Sequence, residues 1–426
     1  MRTFNHEFSS GTRLYWNSTK QFKTLIASAV LRFPYRSGME EIYALLTYLL
    51  SNATNNYPTS RAFSAHRERC YGAKINVVPR RLGQYQTVAF QVEVIDGAFL
   101  GKADELIHIM FDLLSEMMYE PLLNAKGTLF EERFFREKRA AYAQLLQSYE
   151  NEKENYATLH LRDYLPAGHP LSNLGIGTPQ GVLQVTNRQV WKAYRELLDV
   201  PYDIFVVGNI DGNHLLSIIP TQFHFVNHSF VASVNDPLPD LPFQEIDEPH
   251  EFTQSHLLMV YRFPILRGSR QQAIAMTFSS LFGGGPRSLL FQELREQRGL
   301  CYAVSADYLA TNGAIIVNAS IDASNYQQTL SAIADQIKTI QRGEFTEENL
   351  SSIKKMMIDS LQRSHDRPAM QLGVLISQTL DPSYIAPPEL QKMVHLVDRR
   401  SIMECANHLQ LQMIYLIQQG GGKHES

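Results

Sequence analysis

A chain of 426 residues is longer than one hydrophobic core ordinarily serves, because single cores stop growing near ~250–300 residues, so two or more domains are expected. Hydrophobic residues make up 44% of the chain and charged residues 19%, the balance of a globular protein in water, and a formal net charge of −4 argues against a general nucleic-acid surface. The first residues lack the apolar stretch of a signal peptide, no later run approaches the ~20 apolar residues of a membrane span, and Cys70, Cys301 and Cys405 are too scattered for a disulfide framework or a cysteine cage; the expectation is a cytoplasmic protein with reduced thiols and no membrane contact.

The chain repeats itself once, with a period of about 230 residues. Residues 30–38 run as an apolar strand into Arg32-Phe33-Pro34 and a turn glycine, Gly38; residues 260–268 do the same through Arg262-Phe263-Pro264 to Gly268. An apolar helix follows each, at 39–50 and 269–282. Each helix leads through a loop into a second one, ending near Cys70-Tyr71-Gly72 in the first copy and Gly299-Leu300-Cys301-Tyr302 in the second. Strands are expected next at 73–78 and 87–94, then a helix at 103–118, where Leu106, Ile107, Met110, Leu113 and Leu114 keep helical spacing. One long polar helix is expected at 129–156, a turn-rich loop at 166–179, a helix from Asn187 and a buried strand at 203–208. Residues 227–254 carry Pro237, Pro239, Pro242 and Pro249 among acidic residues and read as a linker. Beyond it the second copy gives strands at 301–309 and 314–320 and helices at 325–341 and 346–362.

The most informative stretch is 281–305. Gly283, Gly284 and Gly285 free the backbone, Pro286 predicts a helix start, Leu290 and Leu294 share a face, and Gly299 suits a left-handed residue closing the helix. Arg295 falls on the last turn and Tyr302 just inside the following strand. A phosphate cradle would need the Lys-Ser/Thr of a P-loop, which is absent.

This stretch resembles the second-domain signature of the insulinase/pitrilysin zinc peptidases, the family of the mitochondrial processing peptidases. There a Gly-rich loop precedes Arg-Glu-x-x-Gly-Leu-x-Tyr-like sequence. Residues 130–149 are similar to the family's long ligand-bearing helix, His169 to Pro179 to its His-Pro-Leu loop, and Val206 to Asp211 to the strand end closing its first domain. The resemblance implies an α+β fold of two homologous tandem domains, each a largely antiparallel sheet with helices packed on one face: residues 1–225, a linker at 226–254, and residues 255–426. It also implies that Arg295 and Tyr302, seven positions apart, bind peptide beside Gly283, Gly284 and Gly285.

An active member needs His-x-x-Glu-His on the first helix and a later glutamate, since two histidines four apart grip one zinc ion while the glutamate activates water. Here Ala44-Leu-Leu-Thr-Tyr48 stands where that motif belongs, so Ala44, Thr47 and Tyr48 replace its side chains, and Gln144 falls near the third ligand position. No catalytic residue and no metal are expected on this chain. His224 and His228 have the i, i+4 spacing of a zinc helix but lack a glutamate and a third ligand, and His160 and His169 read as isolated turn or surface side chains.

Two functions follow from the resemblance. The first is a non-catalytic subunit of a two-subunit zinc metallopeptidase, enclosing a peptide or small protein substrate for a zinc-bearing paralogue in a heterodimer, or pairing as a homodimer. The second is a structural or peptide-binding protein of the same fold without a peptidase partner, with Arg295 a helix-end cation and Tyr302 a packing aromatic. An autonomous hydrolase lacks any nucleophile constellation.

Overall fold

The computed structural model describes residues 5–8, 11–172, 175–224, 226, 234–252, 254–363 and 365–419. The strands are β1 (His6–Glu7), β2 (Arg13–Ser18), β3 (Thr24–Pro34), β4 (Lys74–Leu82), β5 (Tyr85–Ile95), β6 (Tyr202–Gly208), β7 (Gln244–His250), β8 (Ser255–Arg262), β9 (Cys301–Leu309), β10 (Ala314–Ile321) and β11 (Gln410–Gln419). The helices of the first half are α1 (Glu40–Leu50), α2 (Ser60–Arg69), α3 (Ala103–Tyr119), α4 (Glu132–Glu150), α5 (Lys153–Leu161), α6 (Pro179–Gln184), α7 (Asn187–Leu198) and α8 (Gly212–Gln222). Those of the second are α9 (Gln272–Gly283), α10 (Tyr326–Gln341), α11 (Glu347–Arg363), α12 (Pro368–Leu380), α13 (Pro387–His395) and α14 (Arg399–Ala406). Their starts are written in the sequence: Thr59, Thr178, Thr186, Asp211 and Asp398 each accept a backbone N–H of the first turn that the helix itself cannot satisfy.

The strands form two sheets, β1-β2-β6-β3-β5-β4 and β7-β11-β8-β10-β9. Setting β2, β6, β3, β5 and β4 against β7, β11, β8, β10 and β9 gives one topology twice: β2–β6 and β7–β11 are parallel and the other pairs antiparallel. Gly38 and Gly268, the turn glycines of the repeat, both have φ +82°, a backbone that glycine adopts without a Cβ penalty. The fold is thus the expected α+β pair of homologous domains.

Contacts divide the chain into two compact units that do not follow a single cut in the sequence. One holds β1–β6, α1–α4, α6–α8 and α12; the other holds α5, β7–β11, α9–α11, α13 and α14. The single polar helix expected over 129–156 is therefore two helices. It ends at Glu150, and α5, after a two-residue break, belongs to the other unit. Residues 244–250, read as linker, are strand β7, which pairs in parallel with β11 and keeps its proline, Pro249, on the sheet edge where a missing N–H costs least.

In each unit the main helices cover one sheet face. Leu25, Ala27, Ala29 and Leu31 of β3 meet α1 and α3 residues in the first core, and Leu257, Met259 and Tyr261 of β8 meet α9 in the second. The opposite face is also covered, by one helix from the other half of the chain. Leu372, Leu375 and Leu380 of the α12 segment lie on Ile26, Val30, Phe205 and Val207; Ala157 and Leu161 of α5 lie on Leu258, Val260, Met413, Tyr415 and Ile417. Strand alternation makes this possible, since successive side chains of β3 and β8 serve opposite faces. Among the described residues no helix is long and apolar enough to cross a membrane.

Candidate functional site

Helix α1 packs its apolar side inward: Ile42 to Leu46 are buried and Leu45 and Leu46 are fully so. Ala44 is a buried methyl, 2% exposed. Thr47, also 2% exposed, spends its hydroxyl on the α1 carbonyls of Tyr43 and Ala44, at 3.0 Å each. Tyr48 turns toward α4, its ring centroid 5.0 Å from that of Tyr142. The structure does not bring Gln144 to this corner; it is exposed, and the α4 residue facing α1 is Tyr142, followed by buried Ala143. Side-chain direction decides this, because residues two apart on a helix point to different faces.

Tyr142 donates its phenol to the Ile176 carbonyl at 3.0 Å, and burial holds its ionisation well above the usual phenol range, with Tyr149, Tyr48 and Glu41 nearby. Glu41 lines the same corner: a Cβ added at Gly177 or Gly181 would come within 2.8–2.9 Å of its Cγ. Gly177 has φ +75°, so the loop before α6 can approach α1 only as glycine. Zinc needs several imidazole, thiolate or carboxylate donors. This corner offers a methyl, a committed hydroxyl and two tilted phenol rings in contact beside the Glu41 carboxylate, so the residues present do not fit the metal. Among the described residues no group of three His, Cys, Asp or Glu side chains is placed to hold one.

The second unit's Gly-rich segment has a different construction from the one expected. The helix does not start at Pro286. Gly283 still belongs to α9, and a Cβ there would sit 2.5 Å from the Ala306 backbone N, so the glycine lets α9 approach β9. At Gly284 a Cβ would meet Ser280 at 2.6 Å, and Gly285 has φ +126°, which side chains rarely tolerate. Ser288, fully buried, opens the next helix by accepting the Phe291 N–H at 3.3 Å.

That helix is widened to a π-helix over Phe291–Gln297, with the Arg298 N–H reaching back to the Glu293 carbonyl. Leu290 and Leu294 are fully buried on its inner side. Arg295 lies on its last turn, 48% exposed, its guanidinium over the Phe291 ring at 5.0 Å and its Nε 3.9 Å from Glu296. Gly299 closes the turn at φ +61°, as expected. Cys301 pairs with Ile321 and Ala303 with Ser320, so Tyr302 is the extra residue of a bulge on the edge strand β9. Its ring is 52% exposed and its hydroxyl lies 3.3 Å from Asp322. Wide helical turns and bulges both recur at functional sites, where they re-aim a side chain. Here one carries Arg295 and the other Tyr302, and neither irregularity was visible in the sequence pattern.

The remaining candidates are structural. His169 is 8% exposed, its Nδ1 accepting the Leu171 N–H and its Nε2 bonded to the Asp236 carbonyl, so it is a buried turn histidine and not a solvated one. His224 packs its ring on Tyr119 at 4.9 Å, and His228 lies outside the described residues, as do Asn173 and Leu174 of the His-Pro-Leu loop. All three cysteines are free and buried; burial pushes the Cys301 thiol up to about 11, against the pull of Arg295, and the Cys405 thiol up to about 12. Thiols so protonated are poor nucleophiles.

Residues 202–357 match the family model described as the peptidase M16 inactive domain. A protein of Bacillus subtilis (strain 168), "Probable inactive metalloprotease YmfF", is 22% identical over 402 residues, 94% of each chain. Among solved structures, a conserved protein from Enterococcus faecalis V583 superimposes with a TM-score of 0.85 at 21% identity, over 97% of this chain and 98% of that one. A peptidase M16 inactive domain from Pseudomonas fluorescens does so with a TM-score of 0.78 at 16% identity, over 97% of each.

Proposed function

We propose that this chain, similar over residues 202–357 to the peptidase M16 inactive domain, serves as the non-catalytic subunit of a two-subunit metallopeptidase and helps bind peptide for a zinc-bearing paralogue. The observation that carries this reading is the placement of Arg295 and Tyr302. Both side chains are about half exposed, and each sits on a backbone irregularity, a π-helix and an edge-strand bulge. A guanidinium can hold peptide carbonyls with its planar donor fork, and a phenol can donate to an oxyanion forming on a scissile carbonyl. Zinc and the water-activating glutamate would come from the partner, in a reducing compartment such as the cytoplasm.

The competing reading is a structural or peptide-binding protein with no peptidase partner. The local contacts of the two residues, Arg295 with Phe291 and Tyr302 with Asp322, favour it. Co-expression with a zinc-motif paralogue, gel filtration and a peptide-cleavage assay separate the two. Under the proposal the pair co-elutes and cleaves, and Arg295→Ala and Tyr302→Phe assemble normally but lose on the order of 10²–10³ in kcat, the cost of removing one transition-state donor. Wild-type kcat/KM in both assembled variants would leave the residues as packing. Co-elution of two copies of this chain in preference to the paralogue would make the assembly a homodimer.

A further inference from the structure

On the face of the second sheet covered by α5, the apolar layer stops short of the β9–β10 end. A cavity of about 430 Å³ opens there between α5 and the strands, lined among others by Glu154, Thr158, His256, Ser305, Asp307 and Asn318. The register explains the cluster: Ser320 lies opposite His256, and Asn318 opposite Ser305, so strand alternation turns these polar side chains to one face.

His256 is the cavity's deepest polar group, 1% exposed. Its Nδ1 lies 3.5 Å from the Ser320 hydroxyl, and its Nε2 has no hydrogen-bond partner among the described residues. Burial holds the imidazole in its neutral form, with the charge of Lys153 adding to the effect and the Asn318 side chain opposing it. A neutral imidazole that turns its N–H to Ser320 presents a bare lone pair at Nε2. Most buried polar atoms in folded proteins are satisfied, so an orphan that also lines a cavity points to a ligand or water that completes it.

The surroundings choose the ligand. Glu154 and Asp307 are exposed at the cavity and are not ion-paired among the described residues, whereas the Lys153 ammonium is engaged by Gln254. Two carboxylates disfavour an anion, and an apolar group would leave Nε2 unsatisfied. A metal would need more donors than the cavity gathers. What fits is a cation rich in N–H donors. We infer that this cavity takes the basic side chain of a bound peptide, a lysine ammonium or arginine guanidinium, with His256 Nε2 and the Asn318 carbonyl as acceptors and Glu154 and Asp307 supplying charge. The inference deepens the peptide-binding reading, yet it is tested on the isolated chain, so its failure and the absence of a partner peptidase are distinguishable.

The probes are acetylated, amidated pentapeptides, alanine throughout except for a central lysine, arginine or norleucine, and an unblocked all-alanine peptide. The readouts are calorimetric affinity and the side-chain nitrogen resonances of histidine-labelled protein. Lysine and arginine peptides are expected to bind and to shift His256 Nε2, with norleucine at least tenfold weaker. The surface pair Glu154→Gln/Asp307→Asn, confirmed folded by circular dichroism, should weaken the basic peptides at least tenfold, and His256→Phe should do the same. Equal binding of norleucine, no response of His256 to the basic peptides, or unchanged affinity in the carboxamide pair would overturn the assignment. Binding of the unblocked alanine peptide as tightly as the lysine peptide would also overturn it, by assigning the cavity to an amino terminus.

Discussion

The two units share a topology and even a device, one helix borrowed from the other half of the chain to cover the outer sheet face, but the faces so covered are chemically unlike. Under α12 the first sheet shows Tyr15, Ile26, Val30, Phe205 and Val207, a mainly apolar layer that the helix seals, with Ser28 and Asp203 buried among them. Under α5 the second sheet is apolar along β11 and most of β8 and polar where the start of β8 meets β10 and β9; there His256 of β8 is buried with no partner for Nε2 among the described residues. A duplicated fold therefore fixes where a face is and how it is covered, not what the face does. An unsatisfied buried polar atom costs ~1–3 kcal/mol, and among the described residues each face carries one, the Ser28 hydroxyl on the first and His256 Nε2 on the second; only the second lines a cavity that a ligand can enter.

The sharpest test of the sealed face is Leu375→Ala on α12. Leu375 is 2% exposed, so the change should cost ~2–5 kcal/mol in urea unfolding. A loss under ~1 kcal/mol would show that α12 rides on the sheet without sealing it, and the contrast would collapse.

The polar face predicts a pH signature instead. His256 is pushed down to about 4 by burial, with Lys153 contributing, below the ordinary ~6.5 of a free imidazole. The unfolded chain then takes up the proton first as pH falls. This contribution to stability is complete above ~6.5, declines between ~6.5 and about 4, and levels off below. At ~1.4 kcal/mol per pH unit it amounts to at most ~3 kcal/mol. His256→Leu should flatten that part of the stability profile, and a wild-type profile already parallel to the variant's would refute the assignment.

A smaller effect probes the corner where the zinc motif has been replaced. Tyr142→Phe removes the bond to the Ile176 carbonyl and should cost ~1 kcal/mol by thermal or urea unfolding, a hydrogen bond's ordinary worth. No change would mean that the loop before α6 is held by Glu41 and the glycine contact alone. The smallest expected effect is Tyr302→Phe, within ~0.5 kcal/mol, because the ring is half exposed on an edge strand. A much larger loss would identify Tyr302 as part of the packing and weaken its assignment to a peptide.

Much of the candidate site was legible. The glycine run, the Arg295–Tyr302 spacing and the missing His-x-x-Glu-His are all one-dimensional facts. That Tyr142 and not Gln144 faces α1 is a matter of geometry: which of several neighbouring α4 residues does so depends on how the helix is rotated, and a tyrosine carries no signal by type. Proline suits a first turn and points to a helix start at Pro286, but Gly285 and buried Ser288 set the start later, and the π-turn has no sequence marker. His256 gives no signal of its own, because a lone histidine in Ser-His-Leu-Leu-Met-Val reads as one polar residue in a buried strand.

What the sequence determined by itself was local or repeated: helical periodicity in α3, the caps of α2 and α7, the left-handed glycines, and a duplication carried by Arg-Phe-Pro and its turn. Those follow from backbone sterics and hydrogen bonding within a few residues, which each segment carries with it. The tertiary structure decided the rest. Gln-Glu-Ile-Asp-Glu-Pro-His became strand β7 only because β11 offered it a parallel partner, and α5 parted from α4 only because its Ala157 and Leu161 found the second sheet's outer face. Burial of apolar surface is strong but has no address: a stripe of leucines states that it must leave water, and only the assembled fold supplies the surface it leaves for.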